Sequence, residues 1–312
     1  MKRIIIALFF SVAVFNVYGS ELMDLNIALQ NTYRACVDID DDLHELKVLA
    51  GVNTGITAVG TGAGVGAVAT GFAKAKTDKE IDKMESYLRE LEESGAKQQH
   101  ESLSIINISS DQIDKLFSDS NDFQKEKDEL EKLNKKSKTL GNWRTGLMAT
   151  NTATNIASAI IANKTRTTDD LQEKINKCID ATKGLNNAIL SAKMSGEDVR
   201  EAQAIYTACR EYEFVDIKPI NKRGTGAMVA SSVGAVVGGV GTITSGVANS
   251  DTIRDDNSDE GKQKEKGLNT ASNVLAIGAT ASSATATIFN ATQIAAIKKV
   301  AKVSESCTGV LK

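Results

Sequence analysis

The stretch that decides the fold runs from Ser231 to Gly246 and reads SSVGAVVGGVGTITSG. Gly234, Gly238, Thr242 and Gly246 recur every four residues, and Ala230 extends the series backwards. A helix here would carry a stripe with almost no side chain. Each glycine lowers helix propensity by about 1 kcal/mol, so such a helix needs dense packing in return. A flexible glycine-rich linker would lack the interleaved Val, Ile and Ala. The spacing therefore predicts helices whose backbones come close to a neighbour.

Three further stretches share this composition: Ala50 to Ala73, Thr145 to Asn163, and Gly267 to Ile297. In the first, Gly60 and Gly64 are again four apart. The spacing resembles the glycine-zipper helices of bacterial envelope proteins, a resemblance of composition confined to these four stretches. It implies helix–helix assembly through the small-residue faces, with Gly60, Gly64, Gly234, Gly238, Thr242 and Gly246 as the packing positions.

The stretches belong to a longer internal repeat. Tyr33-Arg-Ala-Cys36 recurs as Tyr206-Thr-Ala-Cys209, and each cysteine is followed fifteen residues later by a glycine, Gly51 or Gly224, within or opening an uncharged stretch. A charged connection, a second uncharged stretch and a charged segment with a second cysteine then follow, LQEKINKCID or IKKVAKVSESC. The predicted fold is all-α: two tandem helical-hairpin repeats, 20–190 and 191–312. The first carries a charged helical insertion at 76–139. There Ile81, Met84, Leu88 and Leu91 keep amphipathic spacing, and Leu116, Phe123 and Leu130 recur every seven residues. Two such helices make a coiled-coil-like arm or an ordinary solvated pair packed on the body.

The opening residues, MKRIIIALFFSVAVFNVYGSE, pair a short basic region with an apolar run and small residues before Ser20. This is the layout of a secretory signal peptide over 1–19, and it predicts export to the periplasm or cell envelope, or secretion. Removing Lys2 and Arg3 takes the formal charge from −3 to −5. A mildly acidic chain lacks the concentrated basic face that nucleic acid requires. Four cysteines in an exported chain predict two disulfides. The repeat favours Cys36–Cys178 and Cys209–Cys307, with Cys178–Cys209 as the chief alternative.

Each uncharged stretch is long enough to cross a bilayer, yet Asn53, Asn151, Asn155, Asn273 and Asn290 lie within them and oppose unassisted insertion. Lys/Arg against Asp/Glu number 14 to 16 in 74–144, 4 to 6 in 251–266 and 11 to 10 in 164–223, which gives no orienting asymmetry. With no charged face, each helix must be covered nearly all round by the other hairpin, a second copy of the chain, or lipid.

Catalytic motifs are missing. His44 and His100 stand in different segments, and there is no GxSxG, HExxH or GxxxxGK[ST]. The acidic runs at Asp38–Asp42 and Asp256–Gly261 lack the glycine or the closing glutamate of a calcium loop. Trp143 suits either a membrane interface or a core anchor. The expectation is a non-enzymatic exported envelope protein, without cofactor or metal. Its partner would be itself, another envelope protein or the membrane. The alternatives are a secreted membrane-inserting, pore-forming effector and a soluble periplasmic binding protein.

Overall fold

The computed structural model describes residues 20–102, 110–166, 169–254 and 258–311. These residues form almost entirely α-helix, with no strand among them. The helices are α1 (Ser20–Cys36), α2 (Ile39–Ser102), α3 (Ser110–Arg166), α4 (Asp169–Met194), α5 (Arg200–Cys209), α6 (Lys218–Ala248), the single turn α7 (Asp251–Arg254) and α8 (Asp259–Leu311). Pro219, the only proline of the chain, sits in the first turn of α6, where its missing N–H costs nothing. Asp216 Oδ1 accepts the Lys218 N–H at 2.9 Å and caps that start.

The uncharged stretches are not separate helices. α2 runs unbroken from the first acidic turn, through the glycine-rich segment, past Ser94-Gly95 and into the insertion, and α3 runs back from the insertion through the second stretch. Residues 103–109 and 1–19, the expected signal peptide, lie outside the described residues, as do the side chains of 94–122.

The chain forms two compact units, each built from parts of both sequence halves. The first comprises residues up to Leu49, Thr165–Lys222 and Gln293 onward; the second comprises Ala50–Lys164 and Arg223–Thr292.

The first unit has an ordinary apolar interior. α1 and α4 run antiparallel, and Leu25, Ile175, Leu185 and Ile189 are buried with Ile205 of α5 and Ile297 and Val300 of α8. Cys36 is bonded to Cys178 and Cys209 to Cys307, and all four are fully buried. The sulfurs of Cys36, Cys209 and Cys307 lie within 4.8 Å of one another, so the two disulfides form one cluster. Tyr212 is buried in the same unit, and burial pushes its phenol up to about 12, with the Asp40 carboxylate adding to the effect. Asp40, Asp41 and Asp42 open α2, where the helix dipole favours anions. Asp42 also receives a 2.6 Å contact from Lys174.

The disulfides close separations of 142 and 98 residues. In the chain-entropy picture each contributes about 5 kcal/mol. Mass mapping of the unreduced protein is expected to recover Cys36–Cys178 and Cys209–Cys307, and a Cys36→Ser/Cys178→Ser variant to melt well below the parent. Recovery of a Cys178–Cys209 peptide would contradict this pairing.

Candidate functional site

The second unit is assembled from α2, α3, α6 and α8. Its helix pairs are antiparallel: Gly60 meets Asn151 and Asp78 meets Ser137, while Gly226 meets Phe289 and Gly241 meets Leu275. α2 also packs on α8, where Asn53 meets Asn290 and Gly71 meets Asn273. α3 packs on α6, where Ser158 meets Ser231 and Gly141 meets Asn249.

The buried line on α6 is Gly224, Ala227, Ser231, Gly234, Gly238, Gly241, Ser245 and Ala248. Its steps alternate three and four, the 3.5-residue period of a coiled-coil seam. A strict four-residue stripe turns by roughly 40° per step on a helix of 3.6 residues per turn, so it leaves the seam. The structure places the expected packing residues accordingly. A Cβ placed on Gly60 would lie 3.2 Å from Thr154 Cβ, on Gly64 2.9 Å from Asn151 Nδ2, on Gly234 2.8 Å from Asn155 Cγ, and on Gly238 2.7 Å from Thr152 Oγ1. Thr242 approaches Thr152 at 3.4 Å. Gly246 has open space beside it. The residue that takes its expected place is Ser245, whose hydroxyl is 2.8 Å from that of Thr145.

Beside a small apolar cluster of Ala67, Met148 and Ala276, with Val68 and Leu147 against it, the seam encloses many polar groups. Asn155 Nδ2 donates to Asn151 Oδ1 at 2.9 Å and to Ser283 Oγ at 2.8 Å, and the Ser283 hydroxyl reaches Asn151 Oδ1 at 2.7 Å. Asn53 Nδ2 donates to Asn290 Oδ1 at 3.0 Å, and the Ser158 and Ser231 hydroxyls meet at 2.7 Å. At the other end, buried Lys74 bridges Asp78 at 2.8 Å and Glu265 at 2.9 Å, while Arg144 reaches the Asn269 carbonyl at 3.2 Å. Four of the asparagines that oppose insertion in the sequence are thus buried against one another or against serine. Asn273 is half-buried beside Gly71.

The outer face is the reverse. On α6, Val229, Val233, Val236, Val240, Ile243 and Val247 are exposed, also in alternating steps of four and three. Val236 and Ile243 are 68% and 69% exposed, joined by Val59 and Phe72 on α2, Ile156 and Ile160 on α3, and Val274, Ile277 and Ile288 on α8. Water drives apolar side chains inward and favours amides outside. Apart from its alanines, Leu88 and Met148, this unit reverses much of that pattern. Three helical runs, Leu22–Glu93, Lys218–Ala248 and Glu260–Leu311, are long and apolar enough to cross a membrane, and the protein itself buries only 33%, 28% and 28% of their apolar windows.

The remaining candidates come to little. Trp143 is 64% exposed, which removes the core-anchor reading. His44 is exposed. Residues 255–257 of the second acidic run lie outside the described residues. The one cluster of metal-ligating groups among the described residues is made of the bonded cysteines. Compared with protein-family models, curated proteins and solved structures, the chain matches none.

Two outcomes test the seam. Gly238→Leu is expected to cost about 1–3 kcal/mol by overpacking against Thr152, whereas Gly246→Leu leaves stability unchanged or raises it by up to about 1 kcal/mol through helix propensity; thermal melts of both report the difference. Asn155→Ala removes its hydrogen bonds to Asn151 and Ser283, which keep their own 2.7 Å contact, and is expected to cost about 1–3 kcal/mol. A melt within error of the parent would remove the network from the packing.

Proposed function

We propose that this is a non-enzymatic, exported cell-envelope protein whose zipper-like helices assemble a polar-seamed bundle that associates with membrane through its apolar outer face. The observation that carries the reading is the reversal in the second unit: asparagine and serine inside, valine and isoleucine outside. In lipid, helices gain little from burying apolar side chains against one another, since the tails are equally apolar. Association then rests on close small-residue packing and interhelical hydrogen bonds, the two features of this seam. An exposed apolar face of this extent in water would be an aggregation site.

The leader, the two disulfides and the spanning length of three helices support an envelope location. The repeat supports a description as two tandem hairpins, 20–190 and 191–312. Each contributes an antiparallel pair to the second unit and a disulfide to the first. A second copy of the chain is the other cover for the apolar face, which makes a homo-oligomer the competing partner.

Fractionation separates these readings. After an alkaline carbonate wash the protein is expected in the membrane pellet. A fully soluble monomer would overturn the membrane reading, and a soluble oligomer would assign the face to self-association. Leakage of a trapped dye from liposomes on adding purified protein would shift the reading to a secreted membrane-inserting effector, and intact liposomes would keep it an envelope component.

A further inference from the structure

The four helices of the second unit are apolar outward on every side of the bundle. On α2 from Gly51 to Ala73 each exposed residue is glycine, alanine, valine or phenylalanine. On α3 from Thr145 to Ala162 the exposed residues are glycine, alanine, isoleucine and Thr150. α6 from Gly224 to Ala248 exposes valine, isoleucine and Ser232, and α8 from Ala271 to Ala291 exposes alanine, valine, isoleucine and Thr285. Both threonine hydroxyls are satisfied within their own helices: Thr150 donates to the Gly146 carbonyl at 3.0 Å and Thr285 to the Ala281 carbonyl at 2.9 Å. No Asp, Glu, Lys or Arg falls in any of the four runs.

The runs stand level and make one band. Near their midpoints Gly64 of α2 faces Asn151 of α3 and Thr280 of α8, and Gly238 of α6 faces Thr152 of α3 and Ala279 of α8. The height of the band is limited by α3, whose charge-free run of 19 residues, Thr145 to Asn163, lies between Arg144 and Lys164. At 1.5 Å per residue that run is about 28 Å long, against about 30 Å for the hydrocarbon core of a bilayer. Charges of both signs close one end of the band, where buried Lys74 pairs with Asp78 and Glu265 and Lys138 reaches Asp251 at 3.2 Å. Lys164 and Arg223, of the same unit, close the other. Exposed Trp143 stands next to Arg144, at the edge of the band.

We infer that the second unit crosses the bilayer as a four-helix transmembrane bundle, with Trp143 at the headgroup level of one leaflet. The inference rests on the membrane reading above and adds the orientation of the bundle and its depth. A bundle lying on a membrane surface keeps one apolar side in lipid and a charged side in water. This unit has no charged side along the band. α2 and α6 each pack on both α3 and α8, so they stand across the bundle from each other and their apolar faces point in opposite directions. Only a spanning orientation covers both faces with lipid while leaving both charged ends in water. Tryptophan, with an apolar ring and one N–H donor, favours the boundary between the two.

Trp143 is the only tryptophan of the chain, so its fluorescence reports a single depth. The test uses the full-length protein in phosphatidylcholine vesicles whose acyl chains carry bromine either near the glycerol or near the terminal methyl. The parent is expected to be quenched more by the shallow bromines. Moving the tryptophan to the middle of the band, in Trp143→Phe/Val65→Trp and in Trp143→Phe/Val236→Trp, is expected to invert that order in both variants. Val65 and Val236 are both more than half exposed, so the larger ring has room and circular dichroism is expected to match the parent. Polarised infrared spectra of the unmodified protein in aligned bilayers stand whether or not a variant folds, and their amide dichroism is expected to place the helix axes along the bilayer normal. Deep quenching at only one of the two mid-band positions, or helix axes in the bilayer plane, would overturn the span and leave membrane association standing. A parent quenched more by the deep bromines would overturn the placement of Trp143. A protein that neither binds the vesicles nor is quenched by either lipid would overturn the membrane reading as well.

Discussion

Close approach of helices along a seam of glycine, alanine and serine is the constraint on which the second unit depends. Larger residues on α6 would push it from α3 and α8. The amides that reach across the gap would then lose their partners. Asn155 spans to Ser283 and Ser158 to Ser231 only because little side chain intervenes. Small residues set the distance, and polar residues use it.

The polar contacts also address a weakness of such seams. Flat faces of glycine and alanine slide past one another at low cost, because their surfaces look similar at neighbouring registers. An amide or hydroxyl pair does not share that indifference, since a slip leaves buried groups unpaired. The Asn53–Asn290 and Asn151–Asn155–Ser283 contacts fix register toward one end of the bundle, and Lys74 with Asp78 and Glu265 fixes it toward the other.

The two units follow opposite rules within one chain. The first buries leucine, isoleucine and four cysteines and stabilises its small core with disulfides. The second buries amides and presents valine. Residues of both sequence halves build each unit, so the repeat in the sequence and the compact units in space are different divisions of the same chain.

Helical class was legible in the sequence: one proline, few aromatics and sustained small-residue spacing leave little alternative to long helices. Glycine at helical spacing singled out Gly60, Gly64, Gly234 and Gly238, positions where an added Cβ would meet side chains of facing helices. The sequence alone did not determine which residues stay in the seam over many turns. A four-residue stripe and a 3.5-residue seam coincide over two turns and part by Gly246, so Ser245 lines α3 instead. Nor did it determine where the asparagines point. Read singly, each is an obstacle to insertion; only the tertiary structure pairs Asn53 with Asn290 and Asn155 with Ser283. A polar group's cost depends on its partner, and partners more than a hundred residues apart are chosen by packing. The same packing turned the valines outward, a choice that composition leaves open and that decides what must surround this protein.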